Sequence, residues 1–171
     1  RRDGGLWADS TDGRGLLAAL AEQAPGLDLV GETAVVLGAG GAARAAVAAL
    51  IEAGARVTVV NRTLDRAEAL AADLGAAVGD SDSARRAGLI VNALSAAPTL
   101  DMTALRPDAV LMDMSYRPVM TPFLAAGRAR GLITVDGLAM LIGQARPSFE
   151  AFFGVAPPAI DVRTLALEAM S

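Results

Sequence analysis

Apolar positions after residue 30 fall into two alternating patterns. Short runs rich in Val, Ile and Leu predict six buried strands. These strands are expected at 33–39, 56–61, 76–80, 89–94, 109–116 and 132–137. Between them, apolar residues recur with helical spacing, and two of these stretches stop at a glycine, Gly54 or Gly75, as helices often do. The predicted helices cover 13–29, 41–54, 64–75, 83–88, 121–131, 138–154 and 161–170.

This alternation predicts the α/β fold class, with a Rossmann-like, doubly wound, mainly parallel six-stranded sheet and helices on both faces. Within 138–154, Pro147 is expected to kink the helix or divide it in two. Asp161 is expected to cap the last helix. Residues 7–13 precede the alternating pattern and are predicted to form a polar loop.

Composition narrows the classes of protein that fit. The 171 residues suit one domain of ordinary size, and their 53% hydrophobic content predicts a sizeable core. No apolar run reaches the ~18 residues of a membrane span, and the first residues lack the apolar core of a signal peptide. A net charge of −4 argues against a nucleic-acid partner. We therefore expect a cytoplasmic domain that binds neither nucleic acid nor a membrane; the sequence leaves a homodimer open.

Histidine, cysteine and lysine do not occur in the sequence, and all fifteen cationic side chains are arginines. This removes thiol nucleophiles and the side chains that most often act as general bases, and no metal site is predicted. Carboxylates and the single tyrosine, Tyr116, remain as candidates for moving a proton. Among the carboxylates, Asp12 stands out because it lies in the predicted loop. An ordinary Asp-Gly turn is the alternative.

The segment GAGGAA at 38–43 matches the dinucleotide-binding pattern G-x-G-x-x-G/A. Gly38 permits a tight turn out of the first predicted strand, Gly40 lets the backbone approach a pyrophosphate, and Ala43 lets the helix pack close to the sheet. The N–H groups at the start of that helix then face the negative charge. A plain structural turn is the alternative, and the strand–turn–helix context weighs against it.

The end of the second predicted strand indicates which dinucleotide is bound. An NAD-binding domain usually has an acidic residue there, but this chain has Asn61, followed by Arg62 and Thr63. A neutral amide tolerates a 2′-phosphate, Arg62 can bind it, and Arg66 lies one helical turn further on. The sequence therefore predicts NADP as the cofactor. Solvated cations at a helix start are the alternative.

Six segments together resemble the carboxy-terminal, cofactor-binding part of the shikimate dehydrogenase family, and the match runs from about residue 4 to the end. The segments are STDG (10–13), GAGGAARA (38–45), NRT (61–63) with Arg66, IVNALS (90–95), DMSYRPVMTPFL (113–124) and DGLAMLIGQARPSF (136–149). The last two are the most specific. Two positions depart from the family pattern: Ser10 replaces the usual Asn, and Leu94 replaces the usual Thr.

The resemblance implies a role for each matching residue. Asp12 would be the carboxylate of a catalytic Lys–Asp pair, hydrogen-bonded to a substrate hydroxyl. Tyr116 and Gln144 would also reach the substrate. The residues implied in NADP binding are Gly38, Ala39, Gly40, Gly41, Ala42, Asn61, Arg62, Thr63, Arg66, Asn92, Ala93, Met114 and Gly137.

The activity implied is reversible hydride transfer between NADPH and 3-dehydroshikimate, giving shikimate. A quinate/shikimate dehydrogenase and a non-catalytic NADP-binding module are the alternatives. We expect a hinge or linker segment at 1–30, an NADP-binding domain at 31–157, and a C-terminal helix at 158–171 that packs toward a substrate domain. That amino-terminal domain would hold the catalytic lysine, so we expect this chain to be a partial enzyme, inactive alone.

Overall fold

The six predicted strands form one sheet in the computed structural model, which describes residues 10–170. The strands are β1 Thr33–Leu37, β2 Arg56–Val60, β3 Ala77–Val78, β4 Leu89–Asn92, β5 Val110–Asp113 and β6 Ile133–Val135. Their order across the sheet is β3-β2-β1-β4-β5-β6, and every neighbouring pair is parallel. The carboxyl ends of all six strands therefore lie at one edge of the sheet.

Helices cover both faces of this sheet. They are α1 Asp12–Gln23, α2 Gly41–Glu52, α3 Leu64–Leu74, α4 Pro122–Ala129, α5 Gly137–Phe153 and α6 Val162–Met170. Successive residues of a strand point to opposite faces, so Val36 packs into a core with α1, α2, α3 and α5, while Val35 packs into a second core with α4. The predicted doubly wound α/β fold is confirmed. None of the helices between residues 10 and 170 is long and apolar enough to cross a bilayer.

Two local predictions were wrong in detail, and a third was wrong in one of its alternatives. Asp12 is the first residue of α1 and not part of a loop, since a carboxylate is favourable at a helix N-terminus. The predicted helix 83–88 is a 3₁₀ turn, Ser81–Arg86, which the Asp80 side chain caps. Of the two outcomes expected at Pro147, division does not occur, since α5 is one helix, and a kink stays a prediction. The hydroxyl of Ser148 donates to the Gln144 carbonyl (3.1 Å), one residue beyond the Gly143 carbonyl that loses its N–H donor to Pro147.

Helix α1 lies directly against α5, because glycines let the two backbones approach closely. A Cβ atom placed on Gly15 would lie 2.5 Å from the Met140 carbonyl oxygen and 2.9 Å from the Gln144 nitrogen. A Cβ on Gly143 would lie 2.9 Å from the Ala18 Cβ. Leu16 of α1 is fully buried in the core on that face of the sheet. The predicted domain boundary at residue 30 stays a prediction, although α1 shares the core of the sheet.

Candidate functional site

The glycine loop joins the end of β1 to the start of α2. Gly38 has φ = 119°, and a Cβ there would lie 3.2 Å from the Ala93 carbonyl oxygen. Gly40 is the N-cap of α2, which no side chain of the described residues caps. Cβ atoms placed on Gly40 or Gly41 would meet nothing within 4 Å. The first-turn N–H groups of α2 therefore lie beside open space, as the pyrophosphate of a dinucleotide requires.

A basic turn follows the neighbouring strand β2. The side-chain amide of Asn61 donates to the Thr63 carbonyl (2.9 Å), which fixes the turn, and Thr63 is the N-cap of α3. Arg62 and Arg66 are exposed, and neither forms an ion pair within residues 10–170. Two unpaired guanidinium groups beside an amide fit a 2′-phosphate.

Residues at the end of β4 connect the glycine loop to the end of β5. Asn92 is buried, and its side-chain oxygen accepts the Leu94 N–H (3.2 Å). Its backbone carbonyl accepts the Met114 N–H (3.0 Å). Because the Ala93 carbonyl lies against Gly38, the two residues predicted here border the same loop as the glycines.

A cavity of about 150 Å³ lies where these loops meet α1 and α5. It is lined by Asp12, Ala42, Met114, Tyr116, Gly137, Met140, Leu141 and Gln144. Predicted cofactor and substrate residues therefore share one cavity. Met140 and Leu141 were missed by the sequence analysis. Their spacing could have found them, since positions 137, 140, 141 and 144 lie on one face of a helix.

Three polar groups in this cavity are available to a ligand. The Asp12 carboxylate, the Tyr116 hydroxyl and the Gln144 side-chain amide form no hydrogen bond or ion pair within the described part of the chain. Tyr116 is 45% exposed, and the other two are half-buried. None of these polar atoms is buried without a partner in the described residues, so all three are accessible to a polar ligand in the cavity.

A side-chain hydrogen bond to α5 holds the start of α1, where Asp12 lies. Thr11, the N-cap of α1, forms a side-chain hydrogen bond with the Ser148 hydroxyl (3.0 Å). The Asp12 N–H donates to the Ser10 hydroxyl (3.2 Å). The start of α1 is thereby held beside the helix that carries Gln144.

Two further carboxylates stabilise the elements around the cavity, and neither was singled out in the sequence. Asp113 ends β5 and is buried. Asp136 caps α5 by accepting the Ala139 N–H (3.0 Å) and also accepts from Gln23 (2.9 Å) and Arg163 (2.7 Å). Burial alone would raise the pKa of the Asp136 carboxyl, but these hydrogen bonds outweigh it and hold the pKa below its ordinary value. An aspartate directly before a helical pattern was the available signal.

The basic turn is separate from this cavity. It follows β2, and the Met114 loop follows β5, three strands away, or about 14 Å at the usual strand spacing. The glycine loop after β1 lies between them. An elongated ligand along this edge of the sheet would reach both ends, which a dinucleotide can do. The residue roles assigned from the sequence stay predictions.

Comparison with known sequences agrees with this geometry. The family model described as shikimate / quinate 5-dehydrogenase matches residues 19–94. A shikimate dehydrogenase (NADP(+)) from Caulobacter vibrioides is 52% identical over 180 residues, which cover 97% of this chain and 63% of that protein. This chain therefore spans less than two thirds of the length of that curated relative.

Solved structures give the same result. Shikimate 5-dehydrogenase from Thermus thermophilus, crystallised with NADP(H) and shikimate, is 42% identical with a TM-score of 0.78, over 87% of this chain and 58% of that one. Quinate dehydrogenase from Corynebacterium glutamicum, in complex with NAD, is 31% identical with a TM-score of 0.78, over 88% and 59%. From sequence and fold together, the chain belongs to the shikimate dehydrogenase family.

Proposed function

We propose that these residues form the NADP-binding part of a shikimate dehydrogenase, which interconverts 3-dehydroshikimate and shikimate. The cavity supports this most directly, because Ala42 of the glycine loop and the unpaired polar groups of Asp12, Tyr116 and Gln144 line one space. The Thermus and Caulobacter relatives carry this activity and this cofactor in their names.

Within this proposal, each part of the sheet edge has a separate task. The open start of α2, from Gly38 to Ala42, holds the pyrophosphate, and Asn92 and Ala93 support that loop. Asn61, Arg62, Thr63 and Arg66 hold the 2′-phosphate. Met114 and Gly137 would border the nicotinamide, which supplies hydride transfer when the cofactor is bound.

The substrate side of the cavity depends on polar groups. Asp12 accepts a hydrogen bond from the reacting hydroxyl and orients it, while Tyr116 and Gln144 bind the substrate's remaining oxygens. These 171 residues contain no lysine, so they lack the partner that the resemblance pairs with Asp12. We infer that a substrate domain supplies it and that the chain by itself binds NADP without turning over shikimate. A cytoplasmic location belongs to the same proposal.

A quinate/shikimate dehydrogenase is the second candidate. The matching family model covers both substrates, and the Corynebacterium structure is a quinate dehydrogenase. That relative was solved with NAD, whereas Asn61 and the exposed Arg62 and Arg66 of this chain favour NADP. Activity with quinate and shikimate in the complete enzyme distinguishes the two candidates.

The cofactor assignment is tested by titration calorimetry with NADP and NAD. A charge-assisted hydrogen bond contributes about 1.5–3 kcal/mol, so Arg62→Gln should weaken NADP binding about 10- to 150-fold and leave NAD binding unchanged. Arg66→Gln should act in the same direction.

Arg130→Gln is the matched control, since Arg130 is exposed at the end of α4 and remote from the basic turn. It should bind NADP like the wild type. Equal affinity of the wild type for NADP and NAD would contradict the role given to Arg62.

A further inference from the structure

Asp113 is a carboxylate with only 1% of its surface exposed, at the last position of β5. Both of its oxygens have partners. One accepts the Ser115 N–H (2.9 Å), and the other accepts the hydroxyl of Thr121 (2.7 Å). A buried carboxylate is stable only when it is hydrogen-bonded in this way. The two bonds tie Ser115 and Thr121 to the end of β5.

The Thr121 hydroxyl has a second function. It caps α4 by accepting the Leu124 N–H (3.3 Å) while donating to Asp113. The hydroxyl therefore joins the end of β5 to the start of α4. The loop between them, residues 114–120, is closed at its base by one side-chain pair.

That loop carries two residues that line the 150 Å³ cavity, Met114 and Tyr116. Tyr116 has no hydrogen bond of its own within the described residues, and 45% of its surface is exposed. The loop also lies against the start of α5: a Cβ placed on Gly137 would collide with the Ser115 carbonyl and lie 2.7 Å from the Met114 carbonyl oxygen. A small shift of the loop would therefore change the shape of the cavity.

We propose that Asp113 and Thr121 are positioning residues, which set the wall formed by Met114 and Tyr116 beside the nicotinamide. This inference rests on the proposed function for the identity of the ligand. Neither residue of the pair lines the cavity. The pair acts through the backbone of residues 114–116.

The test uses Thr121→Val, which keeps the shape of threonine and removes the hydroxyl, and Thr121→Ser, which keeps the hydroxyl. Because Tyr116 is the only tyrosine, ring-labelled ¹³C-tyrosine gives signals from this position alone. NADP affinity is measured on the same samples by calorimetry.

Thr121→Val should shift or broaden the Tyr116 ring signals and weaken NADP binding about 2- to 12-fold, the equivalent of one lost hydrogen bond of ~0.5–1.5 kcal/mol. Thr121→Ser should restore both to wild-type values. A purely structural role would lower the unfolding temperature without moving either readout in the folded protein.

The matched control is Thr103→Val. The Thr103 hydroxyl also donates to an aspartate, Asp101 (2.6 Å), at the start of a short 3₁₀ turn, Met102–Ala104, and neither residue lines the cavity. It should leave the Tyr116 signals and NADP affinity unchanged. Asp113→Asn provides a second route to the same readouts if Thr121→Val does not fold.

The possible failures are distinguishable. A wild type that does not bind NADP contradicts the proposed function, and the Tyr116 signals still report whether Thr121 positions the loop. A wild type that binds NADP, with Thr121→Val matching it in both signals and affinity, overturns the positioning role.

Discussion

Gly38 and Gly40 lie two positions apart in one loop but require glycine for different reasons. Gly38 adopts a positive φ, and a side chain there would press on the Ala93 carbonyl. Gly40 has φ = −95°, which any residue adopts, and a Cβ there meets no protein atom. The fold therefore requires Gly38, whereas the space beside Gly40 is left for a ligand.

Alanine at each position should separate the two roles. Gly40→Ala should change the free energy of unfolding by less than about 1 kcal/mol, since it alters only an N-cap preference. It should weaken NADP binding about 5- to 150-fold, because an added methyl in a close contact costs ~1–3 kcal/mol. Gly38→Ala should instead lower the free energy of unfolding by about 1–3 kcal/mol through backbone strain.

Urea denaturation and calorimetry on both variants provide the two measurements. A Gly40→Ala protein that binds NADP as tightly as the wild type would show that the dinucleotide does not pass close to this backbone.

The residues that a motif names lie near one another in the fold, and their roles stay predictions. The glycine loop, the basic turn, and the Asp12, Tyr116 and Gln144 set all lie along one edge of the sheet. The sequence did not predict what Asn61 does for the turn, where its amide binds the Thr63 carbonyl. It also missed Asp113, because a bond between side chains eight residues apart depends on the path of the loop.

Among the secondary-structure elements, α6 shows how a surface helix can be tied to the site. It has no buried residue in the described range, but Arg163 forms an ion pair with Asp136, the N-cap of α5. Gln23, at the end of α1, bonds to the same carboxylate. Three helices thus meet at one carboxylate beside the cavity-lining Gly137.

Arg163→Met should therefore destabilise the protein in a pH-dependent way. Because the folded pKa of Asp136 is lowered, the stability it contributes is present above the ordinary aspartate pKa, near 4, and is lost as pH falls through the lowered value. We expect a loss of about 1–3 kcal/mol at pH 7, from hydrogen bonds to charged groups, and a smaller loss at pH 3.

Urea titrations at both pH values measure this difference. Arg85→Met is the control, since the Arg85–Asp82 pair is exposed on both sides and should contribute less than about 1 kcal/mol. An Arg163→Met effect of equal size at pH 7 and pH 3 would contradict the role of the Asp136 ion pair.

Element positions followed from hydrophobic periodicity, but their ends depended on side-chain bonds. The strands are shorter than their apolar runs, since β5 ends at Asp113 where its carboxylate turns back to the Ser115 N–H. Helix α5 continues through Pro147 without interruption, from Gly137 to Phe153. Neither outcome can be obtained from local propensity.

At the scale of the whole molecule, chemistry rather than cavity size identifies the site. A larger cavity, about 530 Å³, lies near the start of β1 and is lined in part by Glu32, Arg106 and Asp108. These three charged groups are already paired, with Arg106 bound to Glu32 (3.0 Å) and to Asp108 (2.6 Å). The smaller cavity lies at the other ends of the strands, beside the point where the strand order reverses between β1 and β4, the usual binding position in such sheets.

The purified 171-residue chain should bind NADP and should not oxidise shikimate. The reason is chemical: Asp12 has no lysine anywhere in these residues with which to share proton transfer. Absorbance of NADPH at saturating NADP and shikimate measures the reaction. A rate above the buffer control that Asp12→Asn abolishes would contradict this expectation, and a rate that survives Asp12→Asn would indicate a contaminating enzyme.

The close approach of α1 and α5 has a mechanical consequence. With Gly15 against the Met140 carbonyl and Gly143 against Ala18, neither helix can roll or slide on the other without a collision of backbone atoms. We therefore expect Asp12 and Gln144 to keep their positions relative to each other. A hinge that opens or closes the site is therefore expected outside this helix pair. A catalytic group from another domain would have to move toward Asp12, which stays in place.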